Sequence, residues 1–504
     1  MTGTITLADS LVGNVATADS LVGNVATAEA EVIPVAAYDW YVNSVTGNDA
    51  NDGKYTSSAF KTIAKLLTVM GVGDSVALAK GSTWRETYSA PGIGCTAVAY
   101  GSGAAPILDC RDVVANASFT KTVGQTNVYQ ITVSPDLAVS GTWNSVWQDG
   151  ARLVRATSIA NCDATAGSYY PSSDTVAPIT MYVHASDSSS LITNGKVYLY
   201  SQRQYSVESY AYTGVGINGI VGIGNLGESG SFRIGKSSIL YGCQALEGNK
   251  HNVYTRTGCW IENMTASLSY YGTGTMGLFA YNEDTPNSEG ITYLNCIANM
   301  GGVLNSLQTG FMGHNNVSGV FGSITYTGCT VADCLAAFGG QHATFTLTNC
   351  TVSNCVSGLA AYANTTISGG TWTTISAVGR LVSCLVTGLT ISATGLTGSH
   401  QEHGFFNSGA TCTFVLTNCT LTCSGNGANV WMQGATSNNL TSNGNHFTHG
   451  GGGYTPYWFN NANYTFTGDN NNYKAAGTMY AAGFLTFAQW QAAVAPQDAN
   501  STVG

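Results

Sequence analysis

The chain has 504 residues, 17 Lys and Arg against 27 Asp and Glu, and a net charge of −10. Only 9% of the residues are charged, against about 25% in an ordinary soluble domain; that excludes a basic nucleic-acid binder, a charge-driven disordered chain and a charged coiled coil. A 44% hydrophobic content with 62 Gly and 9 Pro suits a turn-dense, β-rich protein, and no uncharged apolar run reaches the ~18 residues of a membrane span.

Residues 8–27 hold the decamer ADSLVGNVAT twice in tandem, with a fading third copy, and no aromatic residue. Such a segment builds no core by itself, and is read as either a plain tail or an anchor that folds onto a partner with two docking copies. No Lys or Arg precedes Lys54 and no apolar h-region is present, so a secretory signal is not expected. The 14 Cys form no CxxC pair; Cys329, Cys350 and Cys419, each followed by Thr and a branched residue, and Cys296 in NCIAN, read as one column of small buried thiols folded in a reducing cytosol.

From Tyr38 a strand, an Asn/Asp/Gly turn cluster and a short amphipathic helix follow (YVNSVTGNDANDGKYTSSAFKTIAKLL), then short apolar strands between Gly turns. The pattern YVN…GNDANDG…FKTIAK…GDSVALAKGSTWRE…AYGSGAAPILD resembles the N-terminal cap and first coils of right-handed parallel β-helix proteins of the pectate-lyase-like superfamily, which includes bacteriophage tailspikes and polysaccharide-degrading enzymes. SVWQDGARLVRA (145–156) and ITMYVHASD (179–187) are similar to a β module that interrupts the helix in several of them, and LTFAQWQAAVAPQDANS (485–501) resembles their closing segment. The resemblance, which spans Tyr38 to the C-terminus, implies an all-β, right-handed parallel β-helix: the cap and first coils (38–111), an inserted β module (112–204), the β-helix (205–473) and a closing segment (474–504), preceded by the repeat-bearing tail (1–37), read as a virion anchor. It also marks Trp84, Arg85 and Glu86 as structural, an Arg–Glu pair there tying cap to coil, and it suggests a homotrimer.

Periodicity supports the same fold. Thr330, Thr351, Thr371 and Thr390 head similar phrases at spacings of 21, 20 and 19 residues, and the next step, to Thr420, is 30. A ~20-residue period of short strands describes stacked solenoid coils, with a loop inserted after Thr390. The Asn of the NC pairs, Asn295, Asn349 and Asn418, are expected to stack as an amide ladder between coils.

Between residues 290 and 470 only Asp333, Arg380, Glu402 and Asp469 carry formal charge, yet six of the eight His lie there. Aligning FAYNED (279–284), FMGHNN (311–316), FGGQHA (338–343), LAAYAN (359–364), FFNSGA (405–410) and VWMQGA (430–435) on the inward apolar residue aims the second and fourth residue of each outward. The stripe reads Ala280/Asn282, Met312/His314, Gly339/Gln341, Ala360/Tyr362, Phe406/Ser408 and Trp431/Gln433, with Glu283, Asp284 and His342 beside it. Such a stripe suits a carbohydrate groove: Asn282, Gln341 and Gln433 bond hydroxyls while Tyr362, Phe406 and Trp431 stack on sugar faces. Glu283, Asp284, His314 and His342 are the candidate catalytic residues. Hydrolysis requires two carboxyls at a set separation; elimination requires a base and a charge stabiliser, here His314, His342 and Arg380. A polar sheet face without catalysis is the competing reading.

No cofactor or metal is expected. The Gly-rich runs lack a P-loop or dinucleotide fingerprint, and SHQEHGFF, with His400, Glu402 and His403, lacks HExxH. The function expected is a virion spike or fibre, assembled in the host cytoplasm, that binds a host surface polysaccharide, with its depolymerisation left open, and docks on other virion proteins through its tail, with no nucleic acid and no membrane insertion. The alternatives are an extracellular bacterial polysaccharide lyase or glycoside hydrolase, and a non-enzymatic virion appendage.

Overall fold

The computed structural model describes residues 38–504 apart from 137–143, 175, 227–229, 270–275, 284–289, 302–304, 316–321, 341–343, 362–363, 381–382, 388–389, 395–402, 408–410, 425–427, 433–436, 450–454, 460–463, 475–478, 482–483, 495–497 and 504. The duplicated tail therefore lies outside the described residues. Short strands from successive coils pair in parallel with their equivalents in the next coil. One sheet of 14 strands runs from Trp40–Val42 through Thr96–Tyr100 and Gly216–Asn218 to Tyr464–Thr467. Two further ribbons run from Thr83–Trp84 to Thr502–Val503 and from Tyr88–Ser89 to Met479–Ala481, joined where Thr351–Ala361 and Thr371–Arg380 pass through both. This is a right-handed parallel β-helix. Its strands are short because each coil turns a corner every few residues, and its low charge follows from stacking coil on coil.

The ~20-residue period is a register. Ile297, Thr330, Thr351, Thr371, Thr390 and Thr420 pair one above the next, and the column continues through His446 and Asn472 to Thr502. One position earlier, Cys243, Cys296, Cys329, Cys350 and Cys419 are all buried as free thiols. Nearer the C-terminus Asn445 and Asn471 take that place; Asn445 Oδ1 accepts from the Cys419 amide at 2.8 Å, and Asn471 Oδ1 from the Asn445 amide at 3.1 Å.

The expected amide ladder thus exists one residue away from where the NC pairs put it. Asn295, Asn349 and Asn418 are exposed and left-handed, with φ near +50°, and share their corner with Gly242, Gly328, Gly369 and Gly444. Asn and Gly are the residues that adopt this conformation most cheaply. A Cβ on Gly328 would stand 2.4 Å from Asn295 Oδ1. Gly328→Ala should therefore lower stability by about 1–2 kcal/mol, while Asn295→Gly stays within about 0.5 kcal/mol; urea unfolding compares them.

The core is a pile of rings. Phe279, Phe311 and Phe338 stack at 4.7 and 5.5 Å, Tyr293 and Tyr326 at 5.3 Å, and all five are buried.

At the N-terminal end the helix Ile63–Leu67 closes the first coil, its Thr62 hydroxyl accepting from the Lys65 amide. Trp84 and Glu86 hold it: the indole donates to Lys61 O at 2.8 Å and the carboxylate accepts from the Ala64 amide at 2.6 Å. Arg85 lies 4.0 Å from Asp109 instead of pairing with Glu86; Arg85 and Glu86 both sit in the bend between Thr83–Trp84 and Tyr88–Ser89, and Glu86 is taken up by the Ala64 amide, which corrects the expected Arg–Glu tie. At the other end the helix Phe487–Val494 seats Trp490, whose indole donates to Asp498 at 2.8 Å.

The inserted module leaves and re-enters between adjacent coils: Ile107–Asp109 pairs directly with Val221–Ile223. It holds a four-stranded sheet (Arg111–Val114, Tyr198–Ser201, Val146–Gln148, Ala151–Arg152) and a five-stranded one (Val154–Arg155, Ser168–Pro171, Ile179–His184, Val128–Val133, Thr120–Lys121), mostly antiparallel, around its own core. Arg111 fastens it to the coils, bonding Asp109 at 2.8 Å and Glu247 at 2.9 Å with its guanidinium 5.0 Å from the Trp147 ring.

Candidate functional site

The inward column Phe279, Phe311, Phe338, Leu359, Phe405, Val430 of the sequence alignment is a column of paired residues, with one further coil at Gly379 between Leu359 and Phe405. The adjacent column reads Ala280, Met312, Gly339, Ala360, Arg380, Phe406, Trp431, Trp458, Tyr480. Arg380 was not placed in the stripe by sequence because its coil has no inward apolar residue to align on. Asn282 pairs with His314 and Glu283 with Asn315. For Asn282, Glu283, His314, Phe406 and Trp431 the description is of backbone register; Asp284, Gln341, His342, Tyr362 and Gln433 lie outside the described residues, as do His400 and Glu402. Ala280 is buried rather than open, as a methyl between the larger Tyr254 and Met312 would be.

Followed toward the N-terminus, the same column becomes polar and charged: Ala280 pairs with Tyr254, Tyr254 with Arg233, and Arg233 with Glu208. Their neighbours Phe279, Val253, Phe232 and Val207 are buried in the core, so alternation puts Tyr254, Arg233 and Glu208 on the outer face. The phrases VES (207–209), FRI (232–234) and VYT (253–255) carry the same inward-outward signal as the six aligned phrases. The sequence reading missed them because the alignment began at residue 279.

These residues form a compact cluster. Glu208 accepts from the Tyr210 amide at 3.1 Å and meets Arg233 Nη1 at 3.5 Å. The Arg233 guanidinium lies 4.2 Å from the Tyr210 ring centre and 5.2 Å from that of Tyr205, and Arg256 lies 4.7 Å from the Tyr210 ring. Tyr254 adds a ring 5.9 Å from Tyr210. Two guanidiniums thus converge on one tyrosine ring, with Glu208 beside Arg233 among the described residues. Burial raises the Glu208 carboxyl above its ordinary value, against the opposing pull of Arg233 and the Tyr210 amide. Arg233 Nε is buried without a hydrogen-bond partner among the described residues, while Glu208 Oε2 has Arg233 Nη1 at 3.5 Å. The arrangement can grip an anionic group on the arginines and exchange a proton at Glu208.

No protein-family profile matches the sequence, and no curated protein sequence matches it. Among solved structures the chain is similar to XylC in complex with xylose (10% identity, 92% of this chain and 85% of the other, TM-score 0.45). It is also similar to a glycoside hydrolase (9% identity, 86% and 96%, TM-score 0.40) and to pectate lyase Pel9A (12% identity, 82% and 77%, TM-score 0.36).

Proposed function

We propose that this chain is a polysaccharide-cleaving β-helix that lays an acidic glycan along the outer column from Glu208 toward Trp431. The observation that carries this is the Glu208–Arg233 pair, with a raised carboxyl 3.5 Å from a guanidinium that still has an unused donor. Arg233 and Arg256 would neutralise a uronate-type carboxylate, which acidifies the carbon-bound proton beside it; Glu208 would take that proton as the C=C bond forms and the glycosidic C–O bond at the next carbon breaks, and return it to the departing oxygen. Tyr210 and Tyr254 would flank the sugar ring. Elimination is the reading argued from this set, because paired guanidiniums supply the charge stabiliser and Glu208 the proton-transfer group that it requires. Asn282, Glu283, Asp284, His314, Gln341, His342, Tyr362, Phe406, Trp431 and Gln433 belong in this proposal as contacts to sugar units further along.

Incubation with polygalacturonate, alginate and purified acidic capsules should shorten at least one and generate an ultraviolet-absorbing unsaturated end. Arg233→Ala/Arg256→Ala should abolish it. If every acidic chain keeps its length, the reading fails. The duplicated decamer at 8–27 favours a setting in which such a protein is a trimeric spike anchored on a virion; labelled antibody to the tail in electron micrographs of particles tests that.

A further inference from the structure

The inserted module carries a second cleft, lined by none of the Glu208-cluster residues. Tyr170, Tyr182 and Gln130 pair in one row across the five-stranded sheet. Their sequence neighbours Tyr169 and Val183 are buried in the module core, so the row lies on the opposite face. The two tyrosine rings stand 6.2 Å apart, tilted by 32°, and both are half-buried. With Thr122, Gln125 and Ser158, and the apolar Val123 and Ile159 at its edge, they line an open cleft of about 760 Å³.

Two features point to a ligand. Thr122 is 8% exposed and its buried hydroxyl has no hydrogen-bond partner among the described residues, a cost that a bound hydroxyl would relieve once the side chain turns to another staggered rotamer. The lining also holds no carboxylate and no cation. The charged groups of the flanking elements are engaged elsewhere: Lys121 lies 4.4 Å from the Tyr129 ring, and Asp163 accepts from the Thr126 and Asn127 amides at 3.0 and 2.6 Å. Adjacent aromatic faces bordered by carboxamides and hydroxyls, without formal charge, match the face and rim of an uncharged pyranose.

We propose that the inserted module binds a neutral sugar unit of a polysaccharide in this cleft, stacked on Tyr170 and Tyr182 with its hydroxyls on Gln130, Gln125 and Thr122. The site is non-catalytic and does not depend on the acidic-glycan reading. It would hold the chain on a substrate or surface that its other face processes.

The test uses the full chain carrying Arg233→Ala/Arg256→Ala, so that binding at the helix face does not contribute. Native electrophoresis is run in gels containing xylan, galactomannan, mixed-linkage β-glucan or, as the acidic control, polygalacturonate. Retardation by at least one neutral glycan and not by polygalacturonate is expected, weakened at least tenfold by Tyr170→Ala/Tyr182→Ala. Should that pair disturb folding, Thr122→Val and Gln130→Ala, which leave the rings in place, should each weaken retardation several-fold with an unchanged melting curve. Absence of retardation in every neutral glycan overturns the proposal. So does equal retardation by polygalacturonate, or retardation that survives all of these substitutions in folded protein.

Discussion

Glu208→Gln is expected to cut glycan cleavage by about 10²–10⁴-fold, the usual worth of a positioned proton-transfer group, and at neutral pH to leave the melting temperature unchanged or raised. The two halves follow from one fact. Burial raises the Glu208 carboxyl above its unfolded value, so the folded state binds a proton more readily than the unfolded one. A carboxyl raised in this way contributes stability that is fully present below its unfolded value and lost as pH climbs through its folded value. At neutral pH the ionised side chain therefore works against folding, and a neutral isostere removes that burden while its amide oxygen can still accept from the Tyr210 amide. Wild type and variant should converge in stability on acidification. Differential scanning calorimetry across pH 4–8, alongside reducing-end or ultraviolet assays of cleavage, reads both. A variant that melts lower and cleaves normally would make Glu208 a structural residue and move the chemistry elsewhere on the column.

That column also shows how far the sequence was readable. Residues repeated at one spacing are visible as text: the Thr heads and the Phe279, Phe311 and Phe338 phrases each occupy one register position in the fold. Parallel stacking converts sequence period directly into spatial column, which is why the coils could be aligned on apolar residues alone. Corner chemistry was harder. Asn295, Asn349 and Asn418 looked like a ladder because they repeat, but they repeat for their left-handed backbone, and Gly takes the same corner in other coils. The hydrogen-bonding Asn, Asn445 and Asn471, replace Cys one position later, an exchange of side-chain type that an identity-based scan does not connect. The Glu208 cluster escaped for a third reason. Its coils are separated from the first by the inserted module, and it draws on Tyr205, Tyr210 and Arg256, which lie just off the strands.

Phe311→Ala should be the most damaging single truncation of the solenoid core, at about 3–5 kcal/mol. Phe311 is fully buried and lies face to face with Phe279 at 4.7 Å and Phe338 at 5.5 Å, while Tyr293 and Tyr326 approach edge-on at 5.1 and 5.2 Å. Removing its ring opens a cavity bounded by four rings fixed to neighbouring backbones, so collapse around it is restricted. The adjacent residue is the control. Met312, one position along the same strand, lies on the outer column and is only partly buried; Met312→Ala should cost about 1 kcal/mol or less. Stability in a stacked solenoid sums coil by coil with nearest-neighbour coupling. Phe311→Ala should therefore also broaden the urea transition, as the coils on either side of the gap lose their coupling, whereas Met312→Ala should only shift the midpoint. Similar losses at the two positions would mean that the inward and outward columns are not distinguished as the register implies, and the outward assignment of Glu208, Arg233 and Tyr254 would lose its basis along with it.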